Sequence, residues 1–360
     1  QAYKTDLFRF DQSYRRFNQY ANVIQNKGHS FFDEIAKLIE RTYVHWYMSN
    51  VSLAWDQHIA QDNLMSNWQI QGVHNQFQFY QKYVEPVLNG SQVQRIFVVV
   101  SDALRYEVAE QLAQEVQETG RFNVETDSIL GVLPSYTQLG KAVLLPMPKH
   151  PPLITYKDGQ KAVFVDGKSS AGMDGRSAIL QAVDGVAIDY VALKSFNKSQ
   201  LRDFTKPYKI VYIYHNTIDD HGDSRKTQHD TVDVCARAIN ELNQLINRLM
   251  GDANASRIFV TADHGFLYQQ SDLDVEIKKP LPYKPDNLIE YSKRFVVGKH
   301  LHPFDDCWFG SVKDTANGDD NSFLLPRLNK RFNFVGGKKF VNGATSSQEI
   351  SVPFLYLSRY

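Results

Sequence analysis

The sequence predicts an α/β protein. A central, mostly parallel sheet is flanked by helices, with a helical region ahead of it and an inserted, cap-like section within it. Two observations carry this expectation. First, Arg95–Ala103, Tyr208–Asn216 and Ser256–Thr261 each contain a short apolar, largely β-branched or aromatic run with no polar interruption at its centre. Such runs suit parallel strands buried on both faces. Second, each run leads into acids: Asp102 after the first, Asp219 and Asp223 after the second, Asp263 with His264 after the third. Stretches with helical spacing, Tyr106–Val116 and Val232–Leu249, follow the first two and end near Gly120 and Gly251. Repeated strand-then-acid segments gather carboxylates on the carboxyl edge of the sheet, where open α/β sheets hold ligands.

Residues 1–92 differ from the rest of the chain. They are rich in Gln, Asn and aromatics, and Phe31–Glu40 has apolar positions at helical spacing with Ser30 as N-cap. Further helical patterns run through Val44–Tyr47 and Phe77–Val87, so three or four amphipathic helices are expected. Residues 93–360 hold the sheet. Within them, 147–206 form the inserted section: Pro148, Pro151 and Pro152 open it, and Asp-Gly turns at 158–159, 166–167 and 174–175 separate strand-like runs. Arg294–Gly298 and the apolar residues near Leu355 are expected to add strands.

Composition narrows the function classes. Lys+Arg and Asp+Glu are both 40 in 360 residues, which argues against a strongly basic nucleic-acid coat. With 19 Tyr and 22 Phe the chain is expected to fold into a large core. Two cysteines make neither a disulfide framework nor a thiolate zinc cluster, and suit a reducing, cytoplasmic setting. No apolar run reaches the roughly 20 residues that span a bilayer, so no membrane partner is expected. The chain starts at Gln1 and not at Met, as a piece of a longer protein would.

The acids have a bland reading as helix caps and turn residues, which any one of them alone would satisfy. Together they repel one another, and one or two divalent cations would neutralise them. Asp and His offer oxygen and nitrogen ligands to such ions. A hydroxyl lies in reach at Leu133-Pro134-Ser135-Tyr136-Thr137, where Ser135 or Thr137 begins a short helical pattern. Two metals about 4 Å apart clamp an in-line displacement at phosphorus. The residues therefore point to metal-assisted phosphoryl or sulfuryl transfer.

Four motifs, Ser101–Glu107, Leu133–Thr137, His215–Asp219 and Thr261–Phe266, together resemble the PglZ family of the alkaline phosphatase superfamily, a component of bacterial BREX phage-defence systems. The resemblance runs over roughly residues 95–357. It implies an alkaline phosphatase-like fold, a metal-dependent phosphodiesterase or nuclease-like hydrolase, and a cytoplasmic setting. The expected partners are other BREX proteins, a DNA methyltransferase among them, and a nucleic-acid or nucleotide phosphodiester is the expected substrate. It implies Thr137 as the cation-activated nucleophile, with Asp102, Asp263 and His264 around the same metal. Asp219 and Asp223 then belong to a second metal. Zinc, manganese or magnesium are the expected ions, and Arg105 or Lys141 would add positive charge. The chain departs from the family pattern at Asn342, where a histidine before glycine is expected. His215, His300 and His302 are the available substitutes. This departure keeps a second expectation open, that of a catalytically weak or inactive scaffold within the defence complex.

Overall fold

The computed structural model describes residues 1–25, 33–90, 95–147, 154–157, 162–222, 230–273, 277–281, 283, 288–333 and 339–359. Its centre is a six-stranded sheet. In chain order the strands are β1 (Ile96–Ser101), β2 (Phe122–Leu130), β3 (Gly185–Asp189), β4 (Ile210–His215), β5 (Arg257–Thr261) and β6 (Ser351–Arg359). Across the sheet they run β2-β6-β5-β1-β4-β3. β1 lies between β4 and β5, both parallel to it. That is why Ile96–Val100 lacks any polar residue: all five side chains are fully buried. Burying each contributes about 1.5–3 kcal/mol. β6 is antiparallel to both its neighbours, pairing Leu355 with Val260 on one side and with Thr126 on the other.

The expected helices after the first two strands are α4 (Tyr106–Glu118) and α8 (Thr231–Gly251). They pack on each other and on α1 (Phe8–Gln25). The N-terminal region also contains α2 (Asp33–Arg41) and α3 (Ser49–Gln61), joined by wider helical turns over Thr42–Met48. Ser30 falls outside the described residues. Inside residues 147–206 lie a small antiparallel sheet of Ile154–Tyr156, Val163–Val165 and Lys168–Ser169, then α6 (Gly172–Leu180). The same stretch supplies β3, the edge strand beside β4. Val296–Gly298 joins a separate four-stranded antiparallel sheet.

The N-terminal helices share one core with the sheet. They are also tied to it by buried charge. Asp11 of α1, fully buried, accepts hydrogen bonds from Tyr3 (2.7 Å), Tyr43 (2.6 Å) and Gln348 (3.3 Å), and pairs with Arg105 at 2.9 Å. Four residues on, Arg15 bonds both carboxylate oxygens of Glu107 at 3.0 Å. Positions 11 and 15 share one face of α1, and Arg105 and Glu107 open α4, so the two pairs fix the crossing of the helices. Removing one partner of such a pair leaves an uncompensated charge in a site closed to water. Asp11→Ala is therefore expected to lower stability by about 3–5 kcal/mol, read as a fall in the denaturant midpoint. A loss below about 1 kcal/mol would show that Arg105 finds another partner.

Candidate active site

Sheet register brings the acids to one level. Val100 of β1 pairs with Tyr214 of β4 and with Thr261 of β5. Asp102 and Asp263 each follow two residues later, so their carboxylates leave the sheet side by side. Asp219 comes from α7 (Thr217–Gly222), which starts just beyond β4. Ala103 takes a left-handed backbone conformation, with φ 59°. Such a conformation costs a non-glycine residue free energy and persists only where its surroundings enforce it. Here it turns the Ala103 N–H onto Asp263 Oδ1 at 3.1 Å, and the His264 N–H donates to the same oxygen at 3.0 Å.

The opposite oxygen of Asp263, Oδ2, and Asp102 Oδ1 are both buried and receive no hydrogen bond from an N–H group or a hydroxyl, and the two carboxyl groups lie close enough to share a proton. His264 Nδ1 donates to the Gly265 carbonyl at 2.8 Å, which leaves the lone pair of a neutral ring on Nε2. Nε2 stands 3.6 Å from Asp102 Oδ1 and 3.8 Å from Asp263 Oδ2. Asp102, Asp219 and His264 also bring one ligand atom each to within 4.8 Å of one another. Two buried acceptors without donors, a third carboxylate and an imidazole nitrogen make a donor set that fits a divalent cation.

Thr137 is the first residue of α5 (Thr137–Val143), and its Oγ1 lies 3.0 Å from His264 Nε2. Gly140 makes this approach possible. A Cβ there would stand 2.2 Å from the Asp263 carbonyl oxygen, so any side chain would push α5 away. Ser135 is turned elsewhere: its buried hydroxyl donates to Ala344 O at 2.7 Å. Its backbone N–H bonds Gly343 O at 3.2 Å, tying the loop before Thr137 to the segment that carries Asn342.

Lys141, one turn after Thr137, is the charge that the cluster already holds. Its Nζ lies 2.5 Å from Asp102 Oδ2, 3.3 Å from Asn216 Oδ1 and 3.9 Å from Asp263 Oδ2. Burial opposes every charge here, and the neighbours decide the outcome. Lys141 and His264 hold the Asp102 carboxyl below the usual range. Burial and the Asp102 carboxylate push Asp263 up to about 6. Burial lowers the affinity of Lys141 and His264 for protons, but the carboxylates overcome it and both are raised. The cluster is thus short of positive charge.

Two clefts meet at Thr137 and Gln138. One, of about 480 Å³, is also lined by Asp219, Tyr291, Phe340 and Asn342. The other, of about 410 Å³, is lined by Ser170 and Arg176.

The model of the BREX system PglZ alkaline phosphatase-like domain matches residues 79–357. The chain belongs to that family. It is 44% identical over 357 residues to the alkaline phosphatase-like protein BrxZ of Escherichia coli O9:H4 (strain HS), covering 99% of this chain and 41% of that protein. It is 30% identical over 358 residues to the alkaline phosphatase-like protein PglZ of Bacillus cereus (strain H3081.97), covering 98% of this chain and 40% of that one. The chain thus spans about two fifths of the length of these curated relatives, and the similarity includes the N-terminal helices. Among solved structures, murine ectonucleotide pyrophosphatase/phosphodiesterase 5 matches with a TM-score of 0.49 and 11% identity, over 73% of this chain and 88% of that one. Phosphonoacetate hydrolase from Sinorhizobium meliloti 1021 matches with a TM-score of 0.44 and 12% identity, over 74% and 90%.

The structure brings Asp102, Thr137, Asp219, Asp263 and His264 together, while Asp223 lies outside the described residues. Arg105 does not add charge to the cleft as expected, because Asp11 and the Phe266 ring, 5.0 Å away, hold it on the N-terminal side. His215 is not an open ligand. Its ring nitrogens face Ser101 Oγ at 2.9 Å and Glu241 Oε2 at 3.1 Å. His300 and His302 are exposed. Gly265 serves a close approach, but to the chain itself: a Cβ would stand 2.0 Å from the Gln348 carbonyl. No described helix is long and apolar enough to cross a membrane.

Gln76 is a site residue that sequence reasoning missed. It is fully buried, donates to the Ala262 and Asp263 carbonyls at 3.0 and 2.8 Å, and accepts from the Val132 N–H at 3.1 Å. Lys141→Met, which keeps length and removes charge, is expected to destabilise the protein by about 3–5 kcal/mol through the exposed repulsion of Asp102 and Asp263. Millimolar Mn²⁺ should then raise the melting temperature of the variant more than that of the wild type. Equal shifts in the two proteins would show that Lys141 is not neutralising the candidate cation ligands.

Proposed function

We propose that this chain is a metal-dependent phosphoester hydrolase acting on phosphodiesters within a BREX phage-defence system, with Thr137 as nucleophile. The observation that carries the reading is the convergence of Thr137 Oγ1, His264 Nε2 and the two unpartnered carboxylate oxygens of Asp102 and Asp263. Asp102, Asp263 and His264 would hold a divalent cation, with Asp219 beside them. When bound, such an ion supplies positive charge at the phosphoryl oxygens and favours ionisation of a nearby hydroxyl. Zinc, manganese and magnesium all suit the donors.

The protein's own part is positioning. Gly140 lets α5 present Thr137 at the strand ends. Thr137 Oγ1 forms the bond to phosphorus while the alcohol substituent leaves, and water then releases the phosphate from Thr137 in a second displacement. Asp263 is aimed by two backbone N–H groups, and Lys141 offsets the negative charge that would otherwise repel the substrate. The two clefts that share Thr137 and Gln138 give room for both ester substituents, which favours a diester over a monoester. Partners are other BREX proteins, a DNA methyltransferase among them, in the cytoplasm.

Asn342 favours a second reading, an assembly role with weak or no turnover. It lies in the Asp219 cleft and offers a neutral amide where the family pattern has a histidine. Asp219 and Asp223 would then bind a second ion weakly.

The test uses bis(p-nitrophenyl) phosphate with added Mn²⁺ or Zn²⁺. Thr137→Ala and Asp263→Ala are each expected to lower kcat on the order of 10³-fold or more, and a chelator should abolish wild-type turnover. Equal rates in the wild type and both variants would sink the hydrolase reading. If Thr137→Ala still assembles with its partners and still protects cells against phage, the assembly role stands instead.

A further inference from the structure

Arg176 is a cation beside Thr137 that the proposed chemistry leaves unused. It projects from α6 into the cleft of about 410 Å³ that also holds Thr137. Its guanidinium carbon stands 4.2 Å from the centre of the Tyr214 ring, which is fully buried. Its Nε donates to the Ser170 carbonyl at 3.1 Å. Ring stacking uses a face of the guanidinium, and the Ser170 bond uses one edge. What is left for further bonds is the edge that carries the two terminal amino groups. Among the described residues, Arg176 is paired with no carboxylate. A guanidinium fixed in orientation, with a free fork and no counter-ion, is pre-organised for a bidentate oxyanion.

The surroundings say which anion. On that hydrolase reading, the scissile phosphoryl group lies where Thr137 Oγ1 meets His264, beside Asp102, Asp219 and Asp263. Arg176 lies in the other cleft, which shares only Thr137 and Gln138 with the first. A substrate with its reacting phosphorus at Thr137 and a substituent in this second cleft would bring a group on that substituent to Arg176.

Resting on the hydrolase reading above, we propose that Arg176 binds a second phosphate carried by the substrate beside the scissile one. The site would therefore select substrates with consecutive phosphates. Two sources share this chemistry: a nucleic-acid strand, with phosphates separated by a sugar, and a nucleoside diphosphate or triphosphate, with phosphates joined directly. A simple diester with a single phosphate would leave the fork unfilled.

The experiment is equilibrium binding to the full chain carrying Thr137→Ala, so that nothing turns over, with Mn²⁺ present. The probes are thymidine 5′-monophosphate, thymidine 3′,5′-bisphosphate and thymidine 5′-diphosphate. A charge-assisted bidentate contact should make one two-phosphate probe bind about ten- to hundredfold more tightly than the monophosphate. Preference for the bisphosphate assigns the strand, and preference for the diphosphate assigns the nucleotide. Adding Arg176→Met should bring the affinity ratio close to one, and Arg176→Lys, which keeps charge and loses the fork, should give an intermediate ratio. The intermediate ratio also shows that the variants are folded. Equal affinity for all three probes, or a ratio that survives Arg176→Met, overturns the proposal. A chain that prefers a two-phosphate probe through Arg176 yet hydrolyses no diester keeps this proposal and loses the hydrolase reading.

Discussion

Unbalanced negative charge at the carboxyl ends of β1 and β5 is the constraint around which the rest of the molecule is arranged. Asp102 and Asp263 leave the sheet at the same level and are both buried. Two carboxylates in a site closed to water cannot both stay charged without compensation. One compensation is built in, the Lys141 ammonium, and it answers only one oxygen of Asp102 closely. The backbone answers one oxygen of Asp263 through Ala103 and His264. One oxygen on each acid is left over, and both face the nitrogen of His264. A fold seldom leaves such atoms unsatisfied unless something other than protein completes them.

The same logic governs the contact between the N-terminal helices and the sheet. Asp11 with Arg105, and Arg15 with Glu107, are ion pairs excluded from water, which add less to stability than to geometry. They seat α1 on the first helix after β1. Gln76 completes the attachment by bonding the backbone of Asp263 and of Val132. The helical region is therefore wired to the two segments that carry the candidate nucleophile and its acid. Displacing it would move both. The family match begins at residue 79, and these contacts give the residues before it a structural reason to accompany the domain.

Most of the framework was legible because it depends on local pattern. The runs at Ile96, Ile210 and Ile258 are apolar throughout, which only burial on both faces explains, and the acids that follow had to share an edge. What stayed hidden depends on partners far away in the chain. Arg105 looked like a site cation because it sits near Asp102, yet its partner is Asp11, nearly a hundred positions upstream, which no spacing rule reaches. Ser135 and Thr137 both carry a hydroxyl at the helix start, and the resemblance favours Thr137. They separate in space because one hydroxyl meets Ala344 and the other His264. β3 sits within a stretch of Gly-rich turns, and its place beside β4 follows from pairing that its short sequence does not announce. Arg176 carried no motif at all, since its setting is made by Tyr214 from one strand and Ser170 from a loop.

The position of β6 sets an order of events during synthesis. This strand lies between β2 and β5 and is hydrogen-bonded to both. Until β6 has left the ribosome, β2 has no neighbour in the sheet and one side of β5 stays open. Such edges pair readily with other chains. The pairings that close them span most of the polypeptide, which slows their formation. The cluster at Asp263 shares this delay, because Gly265 rests against Gln348 and its N–H bonds Glu349, just ahead of β6. A ribosome-bound chain stopped before residue 348 would have the candidate metal ligands but not the segment that Gly265 rests against, so the cluster is complete only once that segment has docked.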